Sequence, residues 1–159
     1  MSITSKTTIN ELITNVSVDS NGNVIIQAKD YVASILGEII DRGNVPNLLA
    51  SISGDNTILL IPTDKTKSDD LLKEMTTSKF ATEPKTKLSD LTKEVVADSN
   101  GNVIVKAVEY AGSLVGELID QSNLSNVAAS LSGDNTILVI PTDKSKTNEL
   151  VADLNRVLK

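Results

Sequence analysis

Cysteine and histidine are absent from the sequence. Without thiols there are no disulfides, thiolate ligands or cysteine nucleophiles. Without imidazole the commonest metal ligand and the usual general base are gone as well. Catalysis would have to rest on carboxylates, hydroxyls or lysine. Tryptophan is missing too, and Tyr31, Phe80 and Tyr110 are the only aromatic side chains, so a core has to be assembled from Val, Ile, Leu and Ala. No apolar run approaches the roughly 18 residues of a membrane span, and residues 1–10 are too polar for a secretion signal. The expectation is a cytoplasmic protein with no membrane partner.

Positive charge is also scarce. The net charge is −6 at pH 7, and no basic cluster could neutralise a run of phosphates, so direct nucleic-acid binding is not expected. Lys65, Lys67, Lys144 and Lys146 come nearest to basic patches, and they read as lysines beside helix starts. Catalytic motifs fail in the same way. Asp19-Ser-Asn-Gly-Asn resembles a calcium loop but puts its glycine fourth, where an EF-hand needs it sixth with a glutamate twelfth. Ser53-Gly-Asp has no histidine or lysine placed to activate its hydroxyl. There is no phosphate-binding glycine loop and no nucleophile elbow. The expectation is a non-enzymatic protein with no metal and no cofactor.

What the sequence does contain is a repeat. Asp19-Ser-Asn-Gly-Asn-Val24 recurs as Asp98 to Val103, and Ser53-Gly-Asp-Asn-Thr-Ile-Leu59 recurs as Ser132 to Leu138, both displaced by 79 residues (98 − 19 and 132 − 53). The spacing between the two motifs is unchanged, so the copies align without gaps. Residues 5–80 pair with 84–159, and roughly half the positions are identical. The organisation expected is a first module over 5–80 and a second over 84–159. The join at 81–83 falls within a flexible linker spanning 76–85. The exchanges Ile26/Val105, Ile35/Leu114, Ile52/Leu131 and Leu60/Val139 swap one aliphatic for another, as packed interiors tolerate, and mark the expected core.

Within one module, Thr14 to Val18 and Asn23 to Ala28 are β-rich runs around an Asn-Gly turn, preceded by a short helix. Lys29 to Asp41 carries Val32, Ile35, Leu36, Ile39 and Ile40 at helical period, with Asp30 in the first turn where the helix dipole favours an acid. Asn47 to Ser53 and Asn56 to Pro62 form a second hairpin around Gly54-Asp55. A second helix starts at Ser68, and its copy over Thr147 to Leu158 shows a stripe of Leu150, Val151, Leu154 and Val157. The fold class predicted is α+β: two tandem ββαββα modules, each a four-stranded antiparallel sheet with two helices on one face. Ile58 to Ile61 and Ile137 to Ile140 are continuous apolar runs where a strand with one wet face would alternate, so the far sheet face is expected to be covered. A module of about 75 residues buries only about 60% of its unfolded surface and is marginal alone. Each module therefore needs a neighbour, and a homo-oligomer is predicted.

The string from Asp41 through Gly54-Asp55-Asn56-Thr57-Ile58 to Ile61, repeated from Asp120 to Ile140, resembles the arginine repressor C-terminal domain, in which a helix-end acid leads to a Gly-Asp-x-Thr-Ile turn and strand. The likeness covers nearly all of both modules. Members of that family join this domain to an N-terminal winged helix-turn-helix and form trimers or stacked trimers with arginine bound where trimers meet. Residues 1–10 leave no room for the winged helix, so the expectation is a tandem duplication without the DNA-binding half, assembling as a trimer of two-module chains. The resemblance implies that the arginine-holding turn acid falls on Asp55 and Asp134 and the helix-end acid on Asp41 and Asp120. Carboxylates facing a guanidinium make strong, charge-assisted bonds. The family's second turn acid is Asn56 and Asn135 here, and its amide-bearing contact on the first helix is Ser34 and Ser113. Its Thr-x-Pro-Gly segment reads Ala28-Lys-Asp-Tyr31 and Ala107-Val-Glu-Tyr110. Tyr31 and Tyr110 offer rings that could stack on a planar ligand, or could simply edge the core. Asp55 and Asp134 could equally serve only to shape their turns.

Two functions are expected in competition. One is a small-molecule-binding oligomer that senses or sequesters a small polar ligand such as arginine. The other is an interaction module that co-assembles with a full arginine repressor or another host regulator, as a phage or accessory protein would. Clustering of the acids at positions 41, 55, 120 and 134 at an interface favours the first, and their dispersal on the surface favours the second.

Overall fold

The Asp-Ser-Asn-Gly-Asn segments set the register of each sheet. The computed structural model describes residues 3–77 and 86–159. The Asp19 carboxylate accepts the backbone N–H groups of Asn21 at 2.8 Å and Asn23 at 2.9 Å, while Gly22 takes a φ of +80° that a side chain would resist. Asp98, Asn100, Asn102 and Gly101 repeat the arrangement. Hydrogen bonding, led by the N–H of Asn23 or Asn102, holds both carboxyls below the ordinary carboxylate range.

These turns join β1 (Ile13–Val18) to β2 (Val24–Ala28), and in the second module β5 (Thr92–Ala97) to β6 (Val103–Ala107). Next come α1 (Ala33–Arg42), β3 (Leu48–Ser53), β4 (Thr57–Pro62) and α2 (Ser68–Thr77). Their counterparts are α3 (Gly112–Gln121), β7 (Val127–Ser132), β8 (Thr136–Pro141) and α4 (Thr147–Leu158). Both sheets are antiparallel with strand orders β1-β2-β4-β3 and β5-β6-β8-β7, which is the predicted ββαββα module twice over. A 3-10 turn, Ile9–Leu12 or Leu88–Leu91, leads into each first strand.

The chain divides into two compact units. One is Thr8–Thr86; the other is Lys87–Lys159 together with the N-terminal stretch through Thr7. In the first unit the Ile9 N–H donates to the Thr86 carbonyl at 3.0 Å. In the second, the Leu88 and Ser89 N–H groups donate to the carbonyls of Thr7 and Ser5. Part of the linker expected over 76–85, including its join at 81–83, lies outside the described residues, and α2 runs to Thr77.

Each core lies between the helices and one sheet face. Val24, Ile26, Ile58 and Leu60 are buried beneath Ile35, Leu36, Ile40 and Leu71, and the second module repeats this with Val103, Val105, Ile137 and Val139. Of the expected core pairs, Ile26/Val105, Ile35/Leu114 and Leu60/Val139 are buried. Ile52/Leu131 is not: these residues are 58% and 56% exposed. Ile52 pairs with Leu59, placing it on the sheet face away from the helices, so its aliphatic exchange does not reflect packing in this core. The first helix also starts later than predicted, at Ala33 instead of Lys29, because Tyr31 takes a left-handed φ of 67° that ends any helical run before it. Asp30 thus precedes the helix, and its carboxylate accepts the Asn56 amide.

A mid-helix glycine sets how closely each first helix approaches its sheet. A Cβ on Gly37 or Gly116 would collide with the Ser53 or Ser132 hydroxyl. The helix-propensity cost of glycine is offset by this close packing over β3 and β7.

Candidate functional site

Backbone bonds fix the Gly-Asp-Asn turn against the start of the first helix. Gly54 N–H donates to the Thr57 carbonyl at 2.8 Å and closes the hairpin, the Asn56 carbonyl accepts the Ala28 N–H at 2.8 Å, and the Asp55 carbonyl accepts the Ala33 N–H at 3.2 Å. That last bond satisfies a donor that a helix start leaves open. In the second module the Asp134 carbonyl accepts from Gly112 at 2.9 Å and the Asn135 carbonyl from Ala107 at 2.8 Å. Gly112 replaces alanine here, and a Cβ on it would run into the Gly133 carbonyl, so the second turn sits closer to its helix. In the sequence, the roles of Ala33 and Gly112 are signalled only by the Ala-to-Gly difference between otherwise similar copies.

Four expected site residues meet at this corner in each module. Tyr31, 41% exposed, sits two residues before the helix; Ser34 is exposed on its first turn; Asp55 and Asn56 form the turn above. Tyr110, 46% exposed with a φ of 64°, joins Ser113, Asp134 and Asn135 likewise. Asn56 is committed on both sides, donating to Asp30 at 3.2 Å and accepting from the Thr57 hydroxyl at 3.0 Å. Asn135 accepts from Thr136. The exposed carboxylates of Asp55 and Asp134 make no hydrogen bond or ion pair among the described residues. Each corner thus carries an exposed, uncommitted carboxylate on a turn whose backbone is hydrogen-bonded to the helix start.

Asp41 and Asp120 lie elsewhere. Asp41 is eight residues beyond Ala33, about 12 Å along the helix axis at 1.5 Å per residue. Its carboxylate accepts the Ser51 hydroxyl at 2.6 Å, and Asp120 accepts that of Ser130 at 2.7 Å. Asp41 instead borders a shallow hollow of about 490 Å³ beside Val45, Leu48 and Leu49. Within one module, then, the turn acid and the helix-end acid are not brought together. Among the described residues no group of three or more acidic side chains is placed to hold a metal, and no helix is long and apolar enough to cross a membrane.

A duplicated ββαββα module, with an acidic hairpin turn anchored to its first helix, places the chain among tandem α+β proteins built from one small domain. The arginine repressor C-terminal domain model matches it twice, over residues 10–77 and 93–156, and the chain belongs to that family. It is similar to the arginine repressor of Clostridium novyi, 35% identical over 57 residues, which is 36% of this chain and 38% of that protein. It is also similar to the arginine repressor of Clostridium tetani, 31% identical over 64 residues (40% and 42% of the two chains), and to that of Clostridium acetobutylicum, 30% identical over 59 residues (37% and 39%). Each match spans about two fifths of the relative's length.

Proposed function

We propose that this chain is a non-enzymatic, oligomeric binding protein that holds a small cationic ligand such as arginine where modules of neighbouring chains meet. Each module contributes a half-site of Tyr31, Ser34, Asp55 and Asn56, or of Tyr110, Ser113, Asp134 and Asn135. The observation that carries this reading is the uncommitted turn carboxylate, held by the same backbone bonds in both copies. A tyrosine beside it is kept in a conformation costly for a bulky residue, a feature that clusters at binding sites. Membership of the arginine repressor C-terminal family gives arginine as the first ligand to try. A neighbouring chain's helix-end acid would supply the second carboxylate that one module alone lacks.

Calorimetric titration of the whole chain with arginine, lysine and ornithine tests this. Saturable heat is expected with at least one of them, weakened about tenfold or more in the Asp55→Asn, Asp134→Asn double variant, because a charged hydrogen bond contributes about 1.5–3 kcal/mol. Absence of heat with all three, or equal affinity in the double variant, overturns the reading.

A second reading draws on the separation of Asp41 from Asp55, which suits a protein-facing surface better than one small pocket. In it the chain co-assembles with a full-length arginine repressor or another regulator. A stable mixed complex with the repressor, formed without any added amino acid, would favour this alternative.

A further inference from the structure

The two turn corners are not chemically equivalent. In the first module the Asn56 amide donates to the Asp30 carboxylate at 3.2 Å, so the donor adjacent in sequence to the uncommitted Asp55 acid is already taken. The equivalent amide in the second module, that of Asn135, donates to no group among the described residues. Only its side-chain oxygen is engaged, accepting the Thr136 hydroxyl at 3.0 Å. The residue that stands where Asp30 does is Glu109, an acid on a longer side chain. Asp134 and Asn135, adjacent and exposed on one turn, therefore present a carboxylate that only accepts and an amide that is open to donate.

The seating of the two turns differs as well. The Ala33 N–H reaches the Asp55 carbonyl at 3.2 Å, whereas the Gly112 N–H reaches that of Asp134 at 2.9 Å. A Cβ on Gly112 would collide with the Gly133 carbonyl and press on the Asp134 carbonyl, so the absence of that one carbon lets the second turn close up. A turn held more tightly beforehand loses less freedom when it grips a ligand.

Charge completes the contrast. A free amino acid with a basic side chain brings both a cation and a carboxylate. The second corner has a partner for each, Asp134 for the cation and the Asn135 amide for the carboxylate. At the first corner Asp55 can still hold a cation, but a ligand carboxylate approaching Asn56 meets Asp30 where it needs a donor, and like charges repel.

We infer that the two copies have divided their roles: the second corner takes an amino acid by both of its charges, whereas in the first Asp30 stands in the place of the ligand's carboxylate. The inference rests on the binding function proposed above and adds which half of the chain binds tightly and which group of the ligand decides it. Asp30 is a positioning residue that acts through Asn56.

The test is calorimetric titration of the whole chain with arginine and with agmatine, which is arginine without its carboxylate. The side chains to be replaced are exposed, so far-UV circular dichroism should be kept in every variant. The wild type is expected to take about one arginine per chain in its tight phase and to bind agmatine about tenfold more weakly. Asn135→Ala should weaken arginine about tenfold and erase the preference over agmatine. Asp30→Ala releases the Asn56 amide and should raise the tight count to about two per chain, and adding Asn56→Ala should return it to about one. Agmatine as tight as arginine, two equal sites in the wild type, or an unchanged count in Asp30→Ala overturns the inference and leaves the proposed function standing. No heat with arginine overturns it too, and no heat with lysine or ornithine either sinks that function along with it.

Discussion

Tyr31 and Tyr110 are where sequence and conformation disagree most sharply. A left-handed φ costs a bulky residue about 1–3 kcal/mol, a cost that glycine escapes. Tyr31→Gly with Tyr110→Gly is therefore predicted to be more stable than the corresponding pair of alanine variants, by about 1 kcal/mol per site in urea unfolding. If the alanine and glycine variants prove equally stable, the backbone is not strained there. A ligand role requires that the glycine variant, although the more stable of the two, bind arginine more weakly than the wild type. The sequence showed that these aromatics were scarce and equivalent; their positive φ was invisible in it, because tyrosine carries no signal for that region. Asp19 and Asp98 behave in the opposite way, their turn role being readable from the Asp-Ser-Asn-Gly-Asn string. Their carboxyls are depressed in the folded state by N–H donors, so their contribution is complete above the unfolded value near 3.9 and is lost as pH falls through the lower folded value. The stability gap between wild type and the Asp19→Asn, Asp98→Asn variant is expected to be present at pH 6 and to shrink below about pH 4. A gap that is constant with pH would show that the charge contributes nothing.

Among the elements, most of the fold was legible because hydrophobic period and turn chemistry agree: both hairpins, the sheet and both helices of each module follow from them. The exceptions have local causes. The first helix starts four residues later than the pattern of Asp30 and Val32 predicts, because Tyr31 turns the backbone left-handed and the Ala33 N–H is taken by the Asp55 carbonyl, a bond between residues far apart in sequence. Ile52 was assigned to the core because aliphatic exchange between copies does not distinguish a packed interior from an apolar surface strip. The second helix of each module is tied to the first hairpin by its opening residue. The Thr147 hydroxyl donates to the Gly101 carbonyl at 2.7 Å, and Ser68 makes the same link to Gly22. Thr147→Val keeps the shape and removes the donor. It should cost about 1 kcal/mol in chemical denaturation, and an unchanged midpoint would show that solvent replaces the bond without loss.

At the scale of the whole molecule, duplication gives one chain two copies of the proposed half-site. The candidate site was only partly legible: the resemblance groups Asp41 with Asp55, whereas one module holds them at opposite ends of α1, a separation that no local sequence pattern carries. The proposed ligand site depends on oligomerisation, and native mass spectrometry of the intact protein with arginine reads both at once. The account predicts ions of several chains carrying bound small molecules, with the adduct lost in Asp55→Asn, Asp134→Asn while the assembly persists. Bare single chains of 16.9 kDa, with arginine in excess, would contradict it.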